Sequence, residues 1–540
     1  MSSAISQRLV TKYIPIYITL LGLASLVLFV GSAVILWFPQ IQQDLLEMAR
    51  THLVEIWYPH HVAGKLLTLQ DSAKYLIICI IAFWLITVGL FYFNRFTKKG
   101  FLLNWFTTTP HTDSFPIASI SIDRRFAYFA ISASVFVWLL ALARATDTLI
   151  TWDEAYTYLR YAHKNIFISS LPNLQNINNH LLNSLLIRLS CFLTGTEYNI
   201  AIIRAPNLLF ACIYLYFSYR LSARMRYPYL IFIFFIGNYV VNEYYSLARG
   251  YAMASACMMA TFYYFEQFRN DPNNRTNFNL FMLWSVLAAF AQPITLYVIL
   301  AMLLLCVVRY HKNVFSGENY LAISLFLIAG LGLWYGTKIG LNGSSQSFWM
   351  AFESLPKMFI LESHYLLTIA VALIYVSVIA LGALKSKKLG DYASILLIVL
   401  LILFVADLIL KSGYPHTRMV VPLYPLIVIA FGEAIATLKN SSWLKGAATI
   451  FAIALVVQFC IKIDPHRILT KGIYAMPNNV GAMLYTYEKH YREMGDEKAF
   501  AQMLQEYNYE HPIVAFYIQK QRKILNARYS SSGETKVEHE

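Results

Sequence analysis

Trp152-Asp153-Glu154-Ala155-Tyr156 sets two carboxylates just past Arg144, where a hydrophobic run from Phe126 to Ala143 ends. Apolar lipid excludes charge, so a carboxylate anchored at the rim of a span can meet lipid-borne substrates that soluble catalysts reach poorly. Asp153 falls in the first turn of a helix, where the amide dipoles keep a carboxylate ionised, the state a general base needs. Thr151-x-x-Glu154 fits a capping box, in which Glu154 reaches back to the start of its own helix. The candidate catalytic carboxylates are Asp153, ionised as a base must be, and Glu154, which the capping box also claims. Tyr156 follows on the same helix, suited to orienting an acceptor or to an interfacial aromatic belt.

Cations recur on the same side. In the stretch from Val241 to Tyr251, Glu243, Arg249 and Tyr251 sit near the end of one apolar run and the start of the next. A charge at mid-bilayer costs about 2.5 to 3.5 kcal/mol on insertion scales, so these groups need partners or a ligand. Glu243 and Arg249 can neutralise each other; alternatively Arg249 grips a phosphate, whose oxygens match guanidinium donors. Tyr414-Pro415-His416-Thr417-Arg418 precedes another apolar run, and Arg418 either snorkels to the interface or serves as a second phosphate contact. His180 in Asn178-Asn179-His180, His416, and the loop residues Glu362 and His364 are weaker candidates, for orienting or acceptor contact. No metal cluster is visible, and no cofactor is assigned, a divalent cation being left open.

The elements that must position these groups are apolar helices. The chain has 540 residues, 58% hydrophobic and 13% charged, too apolar for one water-soluble core of ordinary composition. Its net charge of +14 comes from short basic clusters between apolar runs, with neither a stacking motif nor a basic stripe, which argues against nucleic acid and for positive-inside topology. All six cysteines lie in or beside apolar stretches, where thiols behave as small hydrophobes, and no zinc spacing appears.

Crossing about 30 Å of hydrocarbon takes roughly 20 apolar residues. On that measure the fold class is an all-α polytopic membrane protein with about thirteen crossings. A hairpin of Tyr13 to Phe38 and Tyr75 to Phe93 comes first, the former too long for a signal-peptide core. Then follow Phe126 to Ala143, Ala205 to Ser222, Tyr229 to Leu247 and Tyr251 to Phe268. Phe278 to Val308 lies between two basic ends and must cross an even number of times, with a turn at Gln292-Pro293 held below the outer surface. The last five are Tyr320 to Lys338, Tyr365 to Leu384, Tyr392 to Leu410, Met419 to Thr437 and Ala447 to Ile463. Leu181 to Leu193 is too short to cross and reads as an interfacial helix of the first large outer loop. The basic clusters at Arg95 to Arg125, Arg220 to Arg226 and Lys385 to Lys388 belong inside, which places Asp153, Glu154 and Gln292 outside. Three regions result: residues 1–125, a transmembrane hairpin and cytoplasmic loop; 126–463, the membrane module; and 464–540, a small extracytoplasmic appendage whose final stretch, Ser530 to Glu540, is expected to be disordered.

From Phe126 to Ala434 the chain resembles the GT-C superfamily of integral-membrane glycosyltransferases, in the glycosyltransferase family 39-like branch of protein O-mannosyltransferases and lipid A aminoarabinose transferases. The pieces, in the family's order, are Asp153-Glu154 with Tyr156, His180-Leu181-Leu182, Arg204-Ala205-Pro206, Ala248-Arg249-Gly250-Tyr251-Ala252, and Arg418 before Pro422 and Pro425. The proline that usually follows the histidine is Leu181 here, and the leading hairpin is additional to that core. The resemblance implies an inverting transfer of a sugar from a polyprenyl-phosphate carrier to a hydroxyl of a protein, lipid or polysaccharide acceptor. It would take place on the outer face of a membrane, read as a bacterial inner membrane. Arg249, Arg418 and Tyr251 would hold the donor phosphate, and Tyr156, His180, Glu243 and His416 would orient or contact the acceptor. The rival class is a lipid or solute transporter or flippase, which also has broken helices and intramembrane charge; carriers usually repeat their halves, and no second copy of these elements is present.

Overall fold

The computed structural model describes residues 123–163, 180–314, 376–377, 380, 390–410, 417–437, 442–462, 480–506 and 512–532. The runs Tyr13 to Phe38, Tyr75 to Phe93 and Tyr320 to Lys338, nearly all of Tyr365 to Leu384, and Glu362, His364 and His416 lie outside them, as does the Arg418 side chain.

The described residues form helices and no strand. Helix α1 is Arg124–Asp147, followed by α2, Trp152–Thr157, which runs on into one π-helical turn, Tyr158–Ala162. Helices α3, Leu181–Thr194, and α4, Ile200–Ser222, lead to α5, Pro228–Ile236, and α6, Tyr239–Tyr245. Helix α7, Gly250–Asn270, precedes the hairpin of α8, Arg275–Ala291, and α9, Thr295–Val314. Next come α10, Asp391–Leu410, a 3-10 turn at Thr417–Leu423, α11, Tyr424–Thr437, and α12, Ser442–Lys462. Three helices close the chain: α13, Val480–Met494; α14, Asp496–Glu506; and α15, Pro512–Ser532.

Three segments among the described residues are long and apolar enough to cross a membrane, Arg124–Asp147, Ile200–Ser222 and Met419–Ala436, and this is a membrane protein. Their surroundings agree with that reading. Tyr128, Ile131, Val135, Phe136 and Leu139 make an exposed apolar stripe along α1, and Ile450, Ile453, Val457 and Ile461 make another along α12. In water such contiguous stripes are a liability; in lipid they are the outer wall. The interior is organised around α7, buried on nearly every face and packed chiefly against α8 and α4.

One expected span is broken. The apolar run Tyr229 to Leu247 is not one helix: α5 stops at Ile236, and Asn238 restarts the chain as α6 by accepting a hydrogen bond from the Val241 N–H. Away from water, freed carbonyls need donors. Tyr424 donates to Phe234 O, Tyr214 to Phe235 O at 3.0 Å, and Asn242 to Ile236 O at 2.6 Å. Met419 to Thr437 is likewise not uniform, since its first residues form the 3-10 turn that contains Pro422. The Gln292-Pro293 turn does separate two helices.

The end of the bundle where α7 finishes is locked by charge. Arg269 at the end of α7 meets Glu266 at 2.9 Å, Asp391 at 2.6 Å and Glu433 at 3.8 Å, and Glu433 also accepts from the Tyr392 N–H. Asp391 thus opens α10 at the end where α7 finishes.

A second apolar cluster sits at the opposite end, joining Tyr158, Tyr198 and Ile203 to Met483, Tyr487 and Phe516. The C-terminal helices thus pack against the segment that follows α1, α15 directly on α2. Helix α15 continues to Ser532, so the first residues of the stretch expected to be disordered are helical; residues 533–540 lie outside the described part.

Candidate functional site

Glu154 and Asp153 are adjacent, both buried, and differently used. Thr151 and Glu154 form the capping box that their spacing predicts: Glu154 Oε2 accepts from the Thr151 N–H at 2.9 Å and the Thr151 hydroxyl from the Glu154 N–H at 3.3 Å. Arg204 from α4 clamps the same carboxylate with Nε on Oε1 at 2.8 Å and Nη2 on Oε2 at 2.7 Å. The Ala248 N–H adds a bond to Oε1 at 2.6 Å. These four donors fill what an ionised carboxylate accepts. Burial alone would raise the Glu154 carboxyl, but the Arg204 charge and the hydrogen bonds from Arg204, Ala248 and Thr151 outweigh it and hold the group below its ordinary value. Glu154 therefore ties α2 to α4 and to the segment before α7, a structural use of one of the two candidate carboxylates.

Arg204 has the wider reach. Its Nη1 donates to Ala145 O, Thr148 O and the Thr148 hydroxyl, and its Nη2 to Leu149 O, so it gathers the carbonyls at the end of α1. One guanidinium joins α1, α2 and α4. The sequence carries a signal for it, an arginine two residues before a proline in an apolar helix, but nothing there names its partners.

Asp153 meets Arg249 instead, Oδ2 to Nη2 at 3.4 Å, with both side chains 1% exposed. Of the two alternatives for Arg249, mutual neutralisation with Glu243 gives way to other contacts: Glu243 accepts from the Tyr239 hydroxyl at 2.5 Å and lies 3.9 Å from Arg144 at the end of α1. Residues on one short segment had looked like natural partners, whereas the tertiary packing exchanges them.

The position of Arg249 is imposed by its neighbour. Ala248 has its N–H bound to Glu154 and its carbonyl accepting from the Asn183 side chain at 2.9 Å, and Asn183 in turn accepts from Asn207. Arg249 is then the cap residue of α7, whose positive dipole end lies at this site. Its guanidinium stands 5.4 Å from the centre of the Tyr251 ring, within cation–π range.

Gly250 brings the third wall close. A methyl group there would overlap the Ala291 carbonyl and the His180 side chain, so only glycine lets α7 start against α3 and the α8–α9 turn. His180 is fully buried at the start of α3, its Nδ1 3.1 Å from Ala291 O and its ring edge-on to Tyr251 at 4.7 Å. A carbonyl only accepts, so Nδ1 carries the proton of this bond. Tyr251 also packs on Tyr244, at 4.9 Å. Tyr156 is buried and stacks on Trp152 at 5.3 Å.

The structure thus gathers Asp153, Arg249, Tyr251, His180 and the Gln292 turn at one end of the helices, with Glu154 immediately behind. Glu243 belongs to a neighbouring pair with Arg144. The sequence reading gave no role to Asn183 or Asn207, although asparagines within apolar helices were a legible signal. No group of three or more metal-type ligands occurs among the described residues. The sequence matches no known protein-family model and no curated protein.

Proposed function

We propose that this protein transfers a sugar from a polyprenyl-phosphate carrier to an acceptor hydroxyl, with inversion, on the extracytoplasmic face of a membrane. The observation that carries the reading is the buried Asp153–Arg249 pair at the mouth of α7. A desolvated ion pair contributes little to stability compared with apolar packing, so its presence at the rim of a membrane domain favours a chemical use. Asp153 takes the proton of the incoming hydroxyl as its oxygen bonds to the anomeric carbon. The bond from that carbon to phosphate oxygen breaks on the other side, and the polyprenyl monophosphate leaves with the electron pair. Arg249 exchanges its contact with Asp153 for one with the departing phosphate, which frees the base and holds the developing charge. A phosphate is a good leaving group once its charge is held, so one carboxylate suffices.

The order of Asp153-Glu154, His180, Arg204 and Arg249-Gly250-Tyr251 along the chain supports the same reading, as does the arginine-rich opposite end, where Arg220, Arg224 and Arg269 lie. With that end inside, the thirteen-crossing topology puts Asp153 outside, in the periplasm of a bacterium. Purified protein incubated with a panel of radiolabelled polyprenyl-phosphate sugars is expected to release or transfer sugar from at least one, and Asp153→Asn from none. Equal turnover by the variant removes Asp153 as base, and Ser169→Cys labelled only after permeabilisation inverts the topology.

A further inference from the structure

Two neutral polar groups have no hydrogen-bond partner among the described residues, the hydroxyl of Tyr251, whose ring Arg249 faces, and Oε1 of Gln292, the residue after the Ala291 whose carbonyl meets His180. Tyr251 is 0% and Gln292 2% exposed. A buried donor or acceptor left unsatisfied costs about 1 to 3 kcal/mol, and this one region of the fold carries that cost twice. The backbone around both is otherwise well bonded. The Gln292 N–H donates to Ala288 O at 2.8 Å and its carbonyl accepts from the Thr295 hydroxyl at 2.9 Å, so the orphan is the side chain of a well-held turn. The Tyr251 ring is fixed between His180 and Tyr244.

The chemistry of the two groups narrows what they face. As the side chain sits, the Gln292 carboxamide turns its oxygen to the unfilled position, where it takes a donor, and its amide nitrogen gives as well. A phenol likewise both gives and takes, and such a mixed pair suits alcohol groups, which do the same, better than a phosphodiester, which offers acceptors alone. His180 is no substitute at that point, because its Nδ1 is committed to Ala291 O. We infer that Tyr251 and Gln292 are positioning residues that read the uncharged, hydroxyl-bearing part of a ligand whose charged part meets Arg249. Resting on the glycosyl-transfer reading, this divides the site in two: Asp153 and Arg249 serve the reacting bond, and Tyr251 with the Gln292 turn selects the sugar. It also moves Tyr251 from phosphate holder to sugar reader.

The test uses full-length protein in detergent with Tyr251→Phe, Gln292→Leu and the double variant, each keeping the bulk that packing needs. Three quantities are read: thermal midpoint without ligand, affinity for polyprenyl monophosphate lacking a sugar, and KM and kcat for sugar release. The inference expects a midpoint equal to or above wild type, since an unsatisfied group has been removed. Affinity for the bare monophosphate is expected to hold within about twofold, and kcat/KM for the sugar donor to fall about tenfold per substitution, the loss of roughly one hydrogen bond. A lowered midpoint with unchanged kcat/KM makes both groups structural and overturns the inference. Equal losses toward bare and sugar-bearing phosphate overturn it too, by making them phosphate contacts. An active wild type whose variants keep kcat/KM sinks this inference alone, whereas a wild type inert toward every donor sinks the glycosyl-transfer reading and this one with it.

Discussion

Two acid–guanidinium pairs stand side by side where α2 meets the start of α7, Glu154 with Arg204 and Asp153 with Arg249, and they are built to different standards. The first is bidentate at 2.7 and 2.8 Å, and its arginine also binds three carbonyls and a hydroxyl. The second has a nearest separation of 3.4 Å, on a residue that caps a helix and leans on an aromatic ring. Since adjacent residues supply the two carboxylates, the difference comes from the environment that each meets. A carboxylate with every acceptor position filled holds backbone in place, and one in a looser pair can exchange its partner for a ligand.

Arg204→Ala should separate the pairs most sharply, because it strips a buried carboxylate of its counter-charge. The expected loss is about 3 to 5 kcal/mol of stability, seen as a collapse in thermal midpoint or in yield of folded protein. A variant as stable as wild type would show that the clamp is not what joins α1, α2 and α4. Glu154→Gln adds a pH axis to the same pair. The Glu154 carboxyl is held below its ordinary value of 4.5, so its contribution is fully present above that pH and is lost as the pH falls through the depressed value. The gap in midpoint between wild type and Glu154→Gln should therefore narrow on acidification below about 4.5. A gap that stays constant or widens there would contradict the assignment.

Asp153→Asn should weigh on turnover more than on the fold. On the proposed reading a positioned base is worth about 10² to 10⁴ in rate, so sugar transfer should fall at least a hundredfold. The buried Arg249 charge left behind costs some stability, but the looser 3.4 Å pair should cost less than Arg204→Ala does. A midpoint loss as large as that of Arg204→Ala, with turnover kept in the folded fraction, would assign Asp153 to the structural class instead. Gly250→Ala lies between the two extremes. Its added methyl must push on the Ala291 carbonyl and the His180 ring, and overpacking of this kind costs about 1 to 3 kcal/mol. Because the strain falls on the segment that carries Arg249 and Tyr251, kcat/KM should drop along with the midpoint; full activity would mean that the three walls need not be this close.

What was legible in the sequence was local. The Thr151–Glu154 box needs only four consecutive residues, and the turn at Gln292 only a proline. What was not legible was which charge meets which. Glu243 and Arg249 are six apart in sequence, yet their partners, Arg144 and Asp153, lie about a hundred residues earlier, brought there by the packing of α1 on α6 and by the bond from the Ala248 N–H to Glu154. The break in the Tyr229 to Leu247 run was written in Gly237-Asn238 but was masked by apolar neighbours, and it holds because Tyr214, Tyr424 and Asn242 supply donors from elsewhere. Hydropathy reports how much of a segment avoids water; it carries no information on distant donors that let a helix stop inside lipid.

The smallest effect concerns what holds the C-terminal helices behind α2. Lys523 reaches Glu197 at 2.7 Å, by length as good a pair as Arg204 and Glu154, but its two side chains are 53% and 42% exposed. Water and salt screen such a pair, and ordering two long side chains offsets much of what remains, so about 0.2 to 1 kcal/mol is the expected value. The docking instead rests on Phe516 set edge-on against Tyr158 and Tyr198, at 5.6 and 5.5 Å in a buried cluster. Lys523→Ala should therefore leave protease resistance of the tail and sugar transfer within about twofold of wild type at physiological salt. A tail that becomes cleavable on losing Lys523 would mean that bond length, and not burial, separates structural pairs from expendable ones in this molecule.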